Sequence, residues 1–129
     1  MDSKYVLGID ELDLQHEGIE RVCIALRDSV ADPERWRSLL DELYDKMRFH
    51  FYAEESVMAI FSYPETQDHR RSHLEILRQI DGYRNRVLSA ADIEALKDQP
   101  MQLLQEQILT QDMRFAAFLT RNKGRFGVQ

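Results

Sequence analysis

The chain has 129 residues and a mass of 15.3 kDa, so a single domain over residues 1–129 is expected, with no tethered catalytic or signalling domain. Hydrophobic residues make up 43% and charged residues 31%, with five Gly and three Pro, which excludes a disordered chain and fits a helical globule with a sizeable core. Lys plus Arg total 17 against 23 Asp plus Glu, a net charge of -6, and this balance argues against phosphate-backbone binding and hence against nucleic acid as a partner.

A lone cysteine, Cys23, has no internal disulfide partner, and Met1-Asp2-Ser3-Lys4 lacks the apolar stretch of a signal peptide, so the reducing cytoplasm is the expected compartment. No apolar run approaches the roughly 18 residues of a membrane span, and no membrane partner is expected.

Four stretches carry helical periodicity. The first is expected to start near Asp13 as N-cap and puts His16, Ile19, Cys23, Leu26 and Val30 on one face until Asp32-Pro33 ends it. The second starts at Pro33, suited to a first helical position, and runs through Trp36, Leu39, Leu40, Leu43, Met47, His50, Glu54 and Met58 to Ser62-Tyr63-Pro64. The third follows Pro64 and carries His69, His73, Ile76, Leu77, Ile80 and Val87. Residues 88–99 read as a connection with a short helical turn, capped by Ser89 or Asp92, and Gln99-Pro100 opens the last helix. That helix carries Leu103, Leu104, Gln107, Ile108, Gln111, Asp112, Phe115 and Leu119, then stops at Gly124 and Gly127, with Arg121, Lys123 and Arg125 near the negative end of its dipole. Short connections force neighbouring helices to alternate in direction, so the predicted fold is an all-α, antiparallel up-down-up-down four-helix bundle.

All four histidines of the chain fall on the inward stripes of these helices. His50 and Glu54 are four residues apart, as are His69 and His73, so each pair shares a helical face about one turn apart. His16 on the first helix and Asp112 on the last bring donors from the other two. Burying four imidazoles and two carboxylates without a cation would leave many polar groups unsatisfied, at roughly 1 to 3 kcal/mol each. Imidazoles with carboxylates able to bridge suit a pair of first-row transition metals. Cys23 reads as a small buried hydrophobe, Met47, Met58, Met101 and Met113 as core filling or a lid on the pocket, Tyr44, Tyr52, Tyr63 and Tyr83 as packing residues with a wet hydroxyl, and Arg70-Arg71 and Arg84 with Arg86 as solvated helix faces.

With these residues placed, the chain resembles the single-domain bacterial hemerythrins over nearly its whole length. Gly8-Ile9-Asp10-Glu11-Leu12-Asp13-Leu14-Gln15-His16 is similar to the family's entry segment, and His50-Phe51-Tyr52-Ala53-Glu54-Glu55 to its His-Phe-x-x-Glu-Glu motif. Tyr63-Pro64 followed by His69 and His73 resembles its Tyr-Pro turn and His-x-x-x-His pair. Gln107-Ile108-Leu109-Thr110-Gln111-Asp112 resembles a segment that in the family reads His-Ile-x-x-x-Asp.

The resemblance implies a non-haem di-iron centre bridged by Glu54, Asp112 and a solvent-derived oxygen. His16 and His50 would hold the iron that takes O2, and His69 and His73 the other. Gln107 occupies the position of the family's third histidine on that second iron. Either its amide oxygen ligates, or it swings away and leaves a water or an open position, or the second metal is held weakly. The family often carries Trp where this chain has Leu103, and an N-terminal aromatic for which Tyr5 is the candidate.

The implied function is reversible O2 binding for storage, delivery or scavenging at low oxygen, by a monomer that is not an enzyme. The alternatives are an O2, redox or nitric oxide sensor acting on a protein partner in trans, an oxidase or peroxide-handling di-iron enzyme, and simple iron handling.

Overall fold

The structure, a computed structural model, describes residues 10–86 and 89–122. Tyr5, Gly8, Ile9, Val87, Lys123, Gly124, Arg125 and Gly127 lie outside the described residues. Among the described residues every regular element is a helix: α1 (Asp10–Asp28), α2 (Pro33–Ile60), α3 (Thr66–Arg84), α4 (Ala90–Leu96), α5 (Gln99–Gln107), a π-helical segment (Ile108–Asp112) and α6 (Met113–Asn122). The last three run on as one rod. α1 packs on α2, α2 on α3, and α5 on both α1 and α3, which closes an antiparallel four-helix bundle.

Each rod follows from its sequence. α1 is already helical at Asp10, so Asp13 is not its N-cap; it sits in a first turn with Asp10 and Glu11, where carboxylates face the positive end of the helix dipole. Its buried stripe is Leu12, His16, Ile19, Val22, Cys23 and Leu26. A tight link then reverses the chain, and Asp32 caps α2 by accepting from the Arg35 N–H at 3.2 Å, with Pro33 in the first turn where its missing donor costs nothing. α2 is 28 residues long and buries a continuous stripe from Trp36 to Met58.

The turn after α2 is a Schellman motif. The Ser62 N–H donates to the Ala59 carbonyl at 3.2 Å and the Tyr63 N–H to the Met58 carbonyl at 3.0 Å, with Ser62 left-handed at φ 52°. Tyr63 then packs beside Met58 in one apolar cluster. α3 ends at Arg84, and the capping box of Ser89 and Asp92 starts α4, whose Ile93 is fully buried.

The fourth rod departs from the sequence expectation. It is not one uninterrupted α-helix, because a π-helical turn spans Ile108–Asp112, with the Met113 N–H reaching back five residues to the Ile108 carbonyl. The Thr110 hydroxyl donates to the Glu106 carbonyl at 2.6 Å, adding a side-chain partner where the ladder loosens. In a regular α-helix, residues five apart point about 140° away from each other. The extra residue in the turn brings Gln107 and Asp112 to the same buried side.

The apolar core has two parts. The larger holds Leu26, Trp36, Leu40, Leu43, Phe51, Ile80 and Ile108, the smaller Met58, Tyr63, Phe115 and Leu119. Glu54 lies on α2 between Phe51 and Met58, and Asp112 on the fourth rod between Ile108 and Phe115, so the polar layer is sandwiched between them. Tyr44 and Tyr83 pack on the larger part, but Tyr52 is 73% exposed and corrects its expected packing role, because it points to the solvent side of α2.

A left-handed backbone costs a residue with a Cβ roughly 1 to 2 kcal/mol. Ser62→Gly should therefore raise stability by about 0.5 to 1 kcal/mol after the added flexibility of glycine is counted, read as a higher urea midpoint at unchanged slope. A lower midpoint would mean that the Ser62 side chain stabilises the turn in its own right.

Candidate metal centre

Each long rod delivers its share of the site from its buried face. α1 gives His16, α2 gives His50 and Glu54, α3 gives His69 and His73, and the π-helical turn gives Asp112; all six are at most 1% exposed. The four imidazoles present the same atom inward. His16 Nε2 lies 3.3 Å from Asp112 Oδ2, and His50 Nε2 lies 3.4 Å from Glu54 Oε2. His69 Nε2 lies 2.7 Å from both Glu54 Oε1 and Asp112 Oδ1, and His73 Nε2 lies 3.2 Å from Glu54 Oε1.

Two of the rings are fixed from behind. His50 Nδ1 lies 2.8 Å from Gln15 Oε1, and the Gln15 amide nitrogen donates to Glu11 Oε1 at 3.4 Å, which keeps the amide oxygen turned to the ring. His73 Nδ1 lies 2.8 Å from Glu55 Oε2. Since both partners are acceptors, each ring carries a proton on Nδ1, and in the neutral ring the Nε2 lone pair faces inward. The phenyl ring of Phe51 stacks on His73, centroids 3.9 Å apart and planes 6° from parallel, and holds that ring in place.

The centre is therefore a shell of acceptors turned toward one another. Both oxygens of Glu54 and the Nε2 atoms of His50 and His73 are buried and make no hydrogen bond. Lone pairs packed this closely, away from water, call for a positive charge between them. The donors fall into two groups, His16, His50, Glu54 and Asp112, and Glu54, His69, His73 and Asp112, each with its donor atoms within 4.8 Å of one another. Glu54 and Asp112 belong to both. Two adjacent cation positions spanned by two carboxylates fit this set, and imidazole with carboxylate oxygen is the donor chemistry of first-row transition metals.

Protons answer the same demand in part. Burial alone would push the Glu54 carboxyl up, yet the imidazoles of His50, His69 and His73 hold it well below its usual value. Burial likewise pulls His69 down, but Asp112 and Glu54 outweigh it and push the ring up to about 9. His73 is raised by Glu54 and Glu55 against the same burial, whereas His50 is lowered because burial prevails there.

Gln107 is buried beside Asp112, with its amide nitrogen 3.4 Å from Oδ1. Gln15 and Glu55 each directly adjoin a donor in the motifs, but adjacency in sequence does not tell which side chain turns back onto a ring. Arg70 is more than a solvated residue, since its Nε lies 3.2 Å from Glu55 Oε1. Cys23 is buried and burial pushes its thiol up to about 12, so it is an inert apolar filler. Leu103 is half-buried and lines, with Ile76, Gln107 and Gln111, a groove of about 400 Å³ between α3 and the fourth rod.

No helix among the described residues is long and apolar enough to cross a membrane. The model of the hemerythrin HHE cation binding domain matches residues 7–119. The chain is 30% identical to a bacteriohemerythrin of Stenotrophomonas maltophilia (strain R551-3) over 89 residues, which cover 67% of this chain and 58% of that protein. It is 27% identical to hemerythrin-like proteins of Naegleria gruberi and Naegleria fowleri over 118 residues, 92% of this chain and 91% of theirs. No solved structure gives a significant match. With the family model covering most of its length and two overlapping donor groups in the middle of its bundle, the chain belongs to the hemerythrin HHE cation-binding domain family.

Proposed function

We propose that this protein holds two iron ions and binds O2 reversibly, without turnover, as a cytoplasmic monomer. The observation that carries the reading is the pair of buried four-residue donor groups sharing Glu54 and Asp112. His16 and His50 would hold the iron that takes O2, His69 and His73 would hold the other, and Glu54 and Asp112, which belong to both donor groups, would serve both. When bound, two ferrous ions supply one electron each to O2.

The remaining work falls to the chain. Glu54 and Asp112 place opposite charge on both cations at once, and the rigid helices fix the separation of the two positions. Ile19, Phe51, Met58, Ile108 and Phe115 are nearly or wholly buried around the donors and keep water and stray protons out. Slow proton entry favours release of O2 over its conversion to other products. The names of the relatives support the reading, because a bacteriohemerythrin matches two thirds of this chain.

Gln107 is read as a ligand of the second iron through its amide oxygen. The present orientation turns the nitrogen toward Asp112; a rotation of the amide by half a turn exchanges the two atoms at the same place, because they are nearly equal in size.

Loading with ferrous ion in the absence of air should give two irons per chain. Titration with O2 should then give a visible absorption band that deoxygenation removes. One iron per chain, or oxidation that deoxygenation does not reverse even at early times, would overturn the carrier reading, and product accumulation would favour an oxidase. For Gln107 the discriminating pair is Gln107→Ala, which should weaken the second site by about 10-fold or more, and Gln107→His, which should keep both irons and alter the spectrum. A silent Gln107→Ala would show that the amide does not ligate.

A further inference from the structure

Each half of the centre offers two imidazoles and the shared carboxylates, with Gln107 added on the second, and one ring of each half, His50 and His73, is backed by a different group. Behind His50 the Nδ1–H meets the neutral amide oxygen of Gln15 at 2.8 Å. Behind His73 it meets a carboxylate, Glu55 Oε2, at the same 2.8 Å. The other Glu55 oxygen, Oε1, lies 3.2 Å from Arg70 Nε, so the carboxylate is held between the arginine and the ring. Phe51 stacked on His73 removes the remaining freedom of the imidazole.

We propose that Glu55, steadied by Arg70, is a positioning residue that makes His73 the stronger donor and the His69–His73 half the tighter of the two metal positions, so that the centre fills in a fixed order. A carboxylate accepting the Nδ1 proton draws it away from the ring and raises the electron density at Nε2, and such partners are worth 10- to 100-fold in metal affinity. A neutral amide fixes the tautomer equally well but shifts less charge. The difference is therefore electronic as well as geometric. The Glu55 side chain is 24% exposed and that of Arg70 52%, so changing either leaves no buried charge stranded. This inference rests on the two-metal reading.

The whole metal-free chain, titrated with Co²⁺ alone and followed by visible absorption, separates the possibilities. The wild type should take up two Co²⁺ in two steps, and His73→Ala should abolish the tighter one. Glu55→Gln keeps an acceptor for the ring proton and removes only the charge; it should weaken the tighter step about 10-fold or more and leave the other within about twofold. Gln15→Ala should touch the weaker step alone, and far-UV circular dichroism checks that each variant is folded. Two steps that Glu55→Gln leaves unchanged, two steps of equal affinity, or loss of the weaker step in His73→Ala would overturn this proposal and leave the two-metal reading standing. A wild type that binds one Co²⁺ overturns both.

Discussion

The bundle is organised around a conflict: acceptor atoms gathered in a dry interior with too few hydrogens among them. His50 and His73 turn neutral-ring lone pairs toward Glu54, and the one Nε2 of His69 lies 2.7 Å from both Glu54 Oε1 and Asp112 Oδ1, so a single donor position serves two carboxylates. In water each of these groups would be solvated; here four helices hold them together against that preference. His69 is raised because Asp112 and Glu54 favour a proton on its ring, while Glu54 is lowered and stays a carboxylate that this positive charge offsets. A cation does the same more completely, which is why membership of a cation-binding family and the local electrostatics point the same way.

The helices can impose this arrangement because the polar layer is thin and apolar packing lies on both sides. α2 runs unbroken through the whole stack, with Trp36 and Leu43 in the larger cluster, Glu54 in the polar layer and Met58 in the smaller cluster. On the fourth rod the same order, Ile108, Asp112, Phe115, depends on the π-helical turn. Without the extra residue, aligning Asp112 with the centre would turn Gln107 away from it. The turn is a departure from regular hydrogen bonding made where the site needs it.

Outside the inner donors, a second tier connects the centre to solvent. Arg70 faces Glu55, Glu55 faces His73, and Glu11 faces Gln15, which faces His50. The surface composition thus reaches the imidazoles through only two contacts on each side. The groove lined by Leu103 and Gln107 is a further point at which the buried layer lies close to the surface.

The sequence alone makes legible the helical class, the breaks at Pro33 and Pro100, a cap at Ser89 or Asp92, and the inward stripes that carry His16, His50, Glu54, His69, His73 and Asp112. These are local matters of periodicity and turn chemistry, legible because side-chain direction repeats every 3.6 residues along a helix. It misplaced the start of α1, since an acidic first turn and an N-cap use the same residue types. It gave no sign of the π-helical turn, because one inserted residue leaves the composition of a helix unchanged. The roles of Gln15, Glu55 and Arg70 were also out of reach: whether a polar side chain turns to solvent or onto a ring from another helix depends on how the helices are rotated against each other. Only tertiary packing fixes that rotation, and with it which lone pairs meet, because the contacts that decide it join residues such as Gln15 and His50 that are far apart in the chain.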